Sequence, residues 1–232
     1  MIVAIHQPNY APWLGYFAKM ARADVFVLLD DAQYTKNSYI NRVQIDAGGE
    51  ARWITVPVSY RFGDSINRVR AANENWPRAH CDTLKTLYGD APEFRAIWPW
   101  IAERYAALPA GDVAASNQAL IAALAARLGL RAALRKASEL GAPDAKGDER
   151  LIALVQACGS GAAYLSGRGG DKYQDPAKFA AAGVKLTYSD FTHPIYPQGH
   201  PAFVPGLSIL DALFRLGWER TAEMLARAAV AA

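Results

Sequence analysis

Six side chains near the N-terminus could move protons or hold anions: His6, Asp30, Asp31, Lys36, Asn41 and Arg42. A histidine changes charge near neutrality, so His6 could serve as a general base, a phosphate donor or a metal ligand. Two adjacent carboxylates could bind a divalent cation of the magnesium type, orient the imidazole, or receive a substrate amine or sugar hydroxyls. Lys36, Asn41 and Arg42 add donors suited to phosphate or carboxylate. His6 opens the run His6-Gln7-Pro8-Asn9-Tyr10, in which Pro8 and Pro12 fix the loop, so Gln7, Asn9 and Tyr10 are candidate substrate contacts. Far downstream, Ser166-Gly167-Arg168-Gly169-Gly170-Asp171 forms a glycine-rich turn whose N–H groups could cradle an anion. It is not a Walker A loop, because Lys172 is followed by Tyr173 and the glycine spacing is wrong. Nor is it a nucleophile elbow, because Tyr164 stands where the first glycine belongs. His80 and Cys81 are neighbours on an expected helix and face about a quarter turn apart, so they do not form a nucleophile–base pair with each other. His193 and His200 add no zinc spacing, and no metal site is assigned.

The elements that must position these groups are legible from apolar patterning. Ile2 to Ile5 is a short apolar run ending at His6. Pro12 suits a first helical turn, and Trp13, Tyr16, Phe17 and Met20 recur as one helical face. Val25 to Leu29 then ends in Asp30 and Asp31. Strand, helix and strand at this spacing imply a right-handed crossover between parallel strands. Both strands end at one sheet edge, where ligands of open α/β sheets bind. Adjacent strand residues point to opposite faces, so one of the two aspartates is expected in the cleft while the strand continues. The organisation repeats in Ala162–Leu165, the helix Pro176–Ala182 and the strand Val184–Tyr188, with Ser166, Asp171 and Asp190 at strand ends.

Between these units, Arg42–Ile45 and Trp53–Val58 flank Asp46-Ala-Gly-Gly and read as a β-hairpin. Ile66–Val69 reads as a short strand. Helices are expected near Arg78–Tyr88 and Glu93–Tyr105, the second with a kink or gap at Pro99. Asp112 or Ser116 caps a helix with a buried stripe at Leu120, Ile121, Leu124 and Leu128, closed by Gly129. Leu130–Ser138 contains a strand, Gly141–Gly147 a lid or flexible connector, and Asp148–Cys158 a helix. Phe191–Pro205, with four prolines and two histidines, is extended. Helices Ser208–Leu216 and Trp218–Val230 end the chain. The expected architecture is α/β: a Rossmann-like, mostly parallel sheet with flanking helices, a β-hairpin insertion and a helical middle region. We expect a single α/β domain over 1–232, with 76–130 packed as a helical subdomain.

Composition narrows the partners. The 232 residues carry a net charge of +3. Residues 1–60 hold five basic and five acidic side chains, with no basic stripe for a nucleic-acid backbone. Cys81 and Cys158 do not suit a disulfide scaffold, and a reducing cytoplasm is the expected setting. No apolar window is long and unbroken enough to be expected to span a membrane.

The chain resembles the WbqC-like protein family almost end to end. The resemblance rests on His6-Gln7-Pro8-Asn9-Tyr10 with Pro12-Trp13-Leu14-Gly15-Tyr16-Phe17, on Leu29-Asp30-Asp31-Ala32-Gln33-Tyr34-Thr35-Lys36, and on Asn41-Arg42. It continues through the Trp53–Val58 strand, Trp76 with His80, Tyr164-Leu165-Ser166-Gly167 with Gly169, Tyr173, Tyr196-Pro197-Gln198 and Leu207 to Asp211. Ala11 departs from the expected leucine. The resemblance implies a bacterial role in O-antigen-type polysaccharide or specialised-metabolite biosynthesis, on an activated amino sugar. From their positions and chemistry, His6, Asp30, Asp31 and Lys36 are the catalytic candidates. The substrate-binding candidates are Gln7, Asn9, Tyr10, Tyr34, Asn41, Arg42, His80, Ser166, Gly167, Gly169, Tyr173 and Gln198. Three functions compete. One is transfer of an acyl or aminoacyl group from a donor or carrier protein onto an amine of a nucleotide-linked sugar. Another is nucleotidyl transfer, disfavoured because Pro8 and Asn9 replace the Gly-His of an H-x-G-H motif. The third is a non-catalytic sugar-binding module that uses aromatic loop residues. No cofactor is indicated.

Overall fold

The computed structural model describes residues 1–141 and 144–230. Five parallel strands form the central sheet: β1 (Ile2–His6), β2 (Val25–Leu28), β7 (Ala133–Lys136), β8 (Ala163–Gly167) and β9 (Lys185–Ser189). Their order is β7-β2-β1-β8-β9, so the chain direction across the sheet reverses between β1 and β8. Such a switch point opens a crevice, because the connections from the two central strands leave to opposite sides. The fold is therefore α/β and Rossmann-like.

Alternation along the strands divides the core. Val3, Ile5 and Val27 pack with Ile152, Leu154 and Val155 of α5 (Gly147–Cys158) and Phe179 of α6 (Pro176–Ala181). Ala4, Phe26 and Leu28 face the opposite way, onto α1 (Leu14–Ala21) and α7 (Ile209–Val230). That second cluster continues into α2 (Trp76–Tyr88), α3 (Phe94–Ala106) and α4 (Val113–Arg127). Helix α7 is broken at Gly217, whose φ of 80° is open to glycine at little steric cost, as the separate helices expected on either side require.

Local signals were met at most boundaries. The hairpin pairs β3 (Arg42–Asp46) with β4 (Ala51–Thr55) through Gly48 and Gly49, both at positive φ. The Asp112 carboxylate accepts the Ala115 N–H at 2.9 Å and caps α4, while Ser116 lies inside the helix. Three expectations need correction. Ile66–Arg68 is a 3-10 turn, and the strand pairing falls at β5 (Val58–Ser59) with β6 (Arg70–Ala71). Pro99 does not break α3, because Ile97, Ile101 and Tyr105 are buried on both sides of it and hold the helix through the proline. Pro12 also sits one residue before the N-cap, Trp13, rather than in the first turn. Part of the expected 141–147 connector, Ala142 and Pro143, lies outside the described residues. Among the described residues no helix is long and apolar enough to cross a membrane.

Candidate active site

The site begins with an unmatched carbonyl. Along β1, the Met1 carbonyl accepts from Ala163 on the β8 side, while the Ile2 and His6 carbonyls accept from Asp24 and Leu29 on the β2 side. This alternation aims the Ile5 carbonyl at β8. Yet β1 and β8 pair only as far as Ala4↔Leu165, whereas β8 stays beside β9 to Gly167↔Ser189. The sheet thus parts at its carboxyl edge. Lys19, on the sheet-facing side of α1, donates from Nζ to the Ile5 carbonyl at 2.7 Å.

A cavity of about 890 Å³ opens at this parting. That volume suits a small-molecule ligand of substantial size. His6 and Lys19 line it together with Asp31, Arg150, Ser166 and Gln174. His6 follows Ala4 onto the α1 face, where its ring meets Tyr16 at 4.7 Å and Trp13 at 5.8 Å. Nδ1 lies 3.2 Å from the Gln7 carbonyl oxygen. A carbonyl only accepts, so Nδ1 carries the hydrogen and Nε2 the lone pair. Burial, helped by the nearby Lys19 charge, lowers the imidazole pKa to about 3. Burial also lowers the Lys19 amine to about 7. Both effects share one cause: a charge in this floor is poorly solvated.

The two aspartates separate. Asp31 lines the cavity and forms an ion pair with Arg150 of α5. Asp30 is buried and turns away, accepting from the Ser138 N–H at 3.0 Å and its hydroxyl at 2.8 Å. Neither carboxylate orients His6, whose ring is held by Gln7.

On the β8 side, Ser166, Gly167, Gly169 and Gly170 follow the strand around the cavity, and Tyr173 stands at its rim, 76% exposed. A Cβ on Gly170 would lie 2.5 Å from Ser166 Oγ and 2.6 Å from Gln174 Oε1, so any other residue forces these oxygens apart. Gln174 Oε1 is buried with no hydrogen-bond partner. Across the cavity, Lys146 and Gly147 bring the start of α5 to the rim, and no side chain caps that helix end.

Of the candidates from sequence, His6, Gln7, Asp31, Ser166, Gly167, Gly169 and Tyr173 therefore share the cavity. The others stand outside its lining, most with structural partners. Tyr10 donates to His80 Nδ1 at 2.7 Å, and His80 Nε2 meets the Thr55 carbonyl at 3.1 Å. Tyr34 donates to Asn41, which donates to the Val56 carbonyl and clamps the hairpin. The Arg42 guanidinium lies 4.1 Å over the Trp53 ring. Gln198 closes its own loop through two bonds to Val204. Asn9 is buried, and Lys36 is exposed.

Sequence reasoning missed Lys19, Arg150, Lys146 and Gln174. Lys19 had a signal: a cation three residues after Tyr16 stands on a buried stripe. Arg150 likewise precedes Leu154 by one turn on the buried face of α5. Gln174 had none, since its position follows from the turn that tertiary contacts shape.

A Rossmann-like α/β protein with a cavity at its switch point is the class that fold and site define. The WbqC-like protein family model matches residues 7–223, and the chain belongs to that family. It is also similar to a Mycobacterium tuberculosis (strain ATCC 25618 / H37Rv) protein called "Uncharacterized protein Rv1507c", at 34% identity over 220 residues covering 94% of both chains. No solved structure matches the chain.

Proposed function

We propose that the cavity transfers an acyl or aminoacyl group from an activated donor onto the amine of an anionic, nucleotide-linked sugar. The observation that carries this reading is the division of the cavity. Its floor, at His6 and Lys19, disfavours charge. Its rim holds Lys146 and the uncapped start of α5. An amine attacks a carbonyl only when neutral, and an environment that penalises charge keeps it so. Lys146 and the N–H groups of the helix start suit a phosphate of the sugar carrier, set against the charges of Asp148 and Glu149 in the same turn. Tyr173 offers a ring against which a sugar or base can stack. In this reading His6, with its lone pair on Nε2, accepts a hydrogen bond from the acceptor and orients it. An imidazole lowered to about 3 is too weak to serve as the base expected from sequence.

The test is a panel of acyl thioesters and nucleotide-linked amino sugars incubated with the purified protein and read by mass spectrometry. N-acylated sugar is the expected product. Nucleotide sugars that raise the melting temperature yet give no product with any thioester would instead favour the sugar-binding module.

A further inference from the structure

We propose that Lys19 is a catalytic residue of this site: its amine takes the proton that the acceptor amine loses as it is acylated. The proposal rests on the amine-acylation reading and adds the group that reading lacks. The geometry is specific. The parted sheet leaves the Ile5 carbonyl without a strand partner, and Lys19 Nζ is held 2.7 Å from it. The residue is 5% exposed and lines the cavity. A neutral amine so placed gives one N–H to Ile5 and keeps its lone pair for the cavity. Once protonated, the ammonium still has the carbonyl as acceptor, and it lies 5.9 Å from the Phe26 ring centroid. Both contacts ease a transient positive charge without making it permanent.

The charged and titratable groups around Lys19 support the same role. His6 from β1 is neutral, so it neither repels nor pairs with the amine. Asp31 beyond β2 is engaged by Arg150 of α5 and does not clamp Lys19 in the charged form. Tyr16 of α1 and Tyr164 of β8 are held protonated by burial. Lys146 stands at the rim. The amine is lowered to about 7, where a base is effective at neutral pH.

The step balances. The acceptor nitrogen forms a bond to the thioester carbonyl carbon, and the carbon–sulfur bond breaks with its electron pair leaving on sulfur. The attacking nitrogen sheds one proton to Lys19 Nζ. The resulting ammonium returns that proton to the thiolate or to water, and the neutral amine is restored.

Two measurements test this, one independent of turnover. Competitive labelling with acetic anhydride across pH, read by peptide mass spectrometry, compares Lys19 with the other seven lysines. Lys19 is expected to titrate near 7, well below the rest. Titration with the surface lysines, or no labelling at any pH, overturns the inference even if the enzyme acylates amines. With a thioester and amino sugar that turn over, K19M is expected to lower kcat about 100-fold or more with little change in KM. K19R keeps a donor for Ile5 but stays charged, so it is expected to fail as well. Circular dichroism and a retained thermal shift with the nucleotide sugar show that the variants are folded. Folded K19M or K19R with wild-type kcat refutes the role of Lys19 and leaves the acyl-transfer reading standing. Wild-type protein inactive on the whole panel removes that reading and this step with it.

Discussion

The two histidines His6 and His80 are chemically alike and end in opposite circumstances. Burial lowers both, His6 to about 3 and His80 to about 4. The His80 ring is fully satisfied. Its Nε2–H donates to Thr55, its Nδ1 accepts from Tyr10, and Tyr10 accepts from Tyr105 at 2.8 Å. Trp76 packs edge-on at 5.2 Å, and the network is closed. His6 has one bond, to Gln7, and among the described residues no other reaches its ring. Its surroundings repeat that incompleteness: Lys19 has a single acceptor, and Gln174 Oε1 has no donor. Burial and a displaced pKa therefore do not distinguish a site from a core. Unfilled hydrogen-bonding capacity does so only when it lies beside the cavity, for Asn117 Oδ1, Asp211 Oδ1 and Arg215 Nε are also buried without a hydrogen-bond partner and stand outside its lining.

A third region sharpens the contrast. Asp46, 2% exposed, accepts from the Gly49 N–H at 2.8 Å, from Arg215 at 2.9 Å and from His200 at 3.2 Å. It ties the hairpin to α7 and to the proline-rich segment before it. Asp211 beside it accepts from Tyr196 at 2.6 Å and is raised by burial. This cluster is as ionic as the cavity, yet none of its residues lines that cavity, and its bonds run between elements of the fold.

The largest effect expected from breaking this division is on stability. Asp46→Ala takes the nearer carboxylate from the Arg215 guanidinium, leaving it Asp211 at 3.9 Å, and should cost about 3 kcal/mol in urea unfolding. The protein that remains folded should keep its thermal shift with nucleotide sugars. If ligand response is lost while stability holds, the cluster belongs to the site after all.

Acid comes next. Both imidazoles have folded pKa values below 6.5, so the unfolded chain binds their protons first as pH falls. Their stabilisation is complete above about 6.5 and is lost as pH falls through about 4 for His80 and about 3 for His6. Lys19 acts at the other end. The folded state releases its proton near 7 and the unfolded state near 10.5, so its penalty is full below 7 and is relieved as pH rises between them. Urea melts at several pH values should show K19M lacking that alkaline rise. An identical rise in K19M would mean that the amine is not buried as described.

The direct comparison is smaller. His80→Ala leaves the Tyr10 hydroxyl with Tyr105 alone and removes the ring donor to the Thr55 carbonyl, and should cost about 1–3 kcal/mol, with turnover per folded molecule preserved. His6→Ala should cost less stability and far more activity. The opposite ranking would dissolve the distinction between the two rings. Least in magnitude, Gly170→Ala should cost about 1–2 kcal/mol by forcing Ser166 and Gln174 apart. Its ligand affinity should fall while the spectrum of the fold is unchanged.

Much of the fold was readable from local signals, because local chemistry specifies those features. Two crossover units followed from short apolar runs separated by a helical stripe. The hairpin followed from Gly48 and Gly49, the α4 cap from Asp112, and the break in α7 from Gly217. Ile66–Arg68 misled because an apolar pair in a short segment fits a tight turn as well as a strand. The site was half legible. The strand-end rule brought His6 and Asp31 to one edge, yet it could not choose between Asp30 and Asp31. That choice was made by Ser138 and by Arg150, which lie 108 and 119 residues away.

By itself, then, the sequence determined the strand order of chemistry: which polar residues end which strands, and that two such ends would be neighbours. Only the tertiary structure decided which of those residues stay hungry for partners. Periodicity is a property of consecutive residues. Hydrogen-bond satisfaction depends on groups brought together from distant segments, as Tyr10 finds His80 and Lys19 finds a carbonyl released by the parting of β1 from β8.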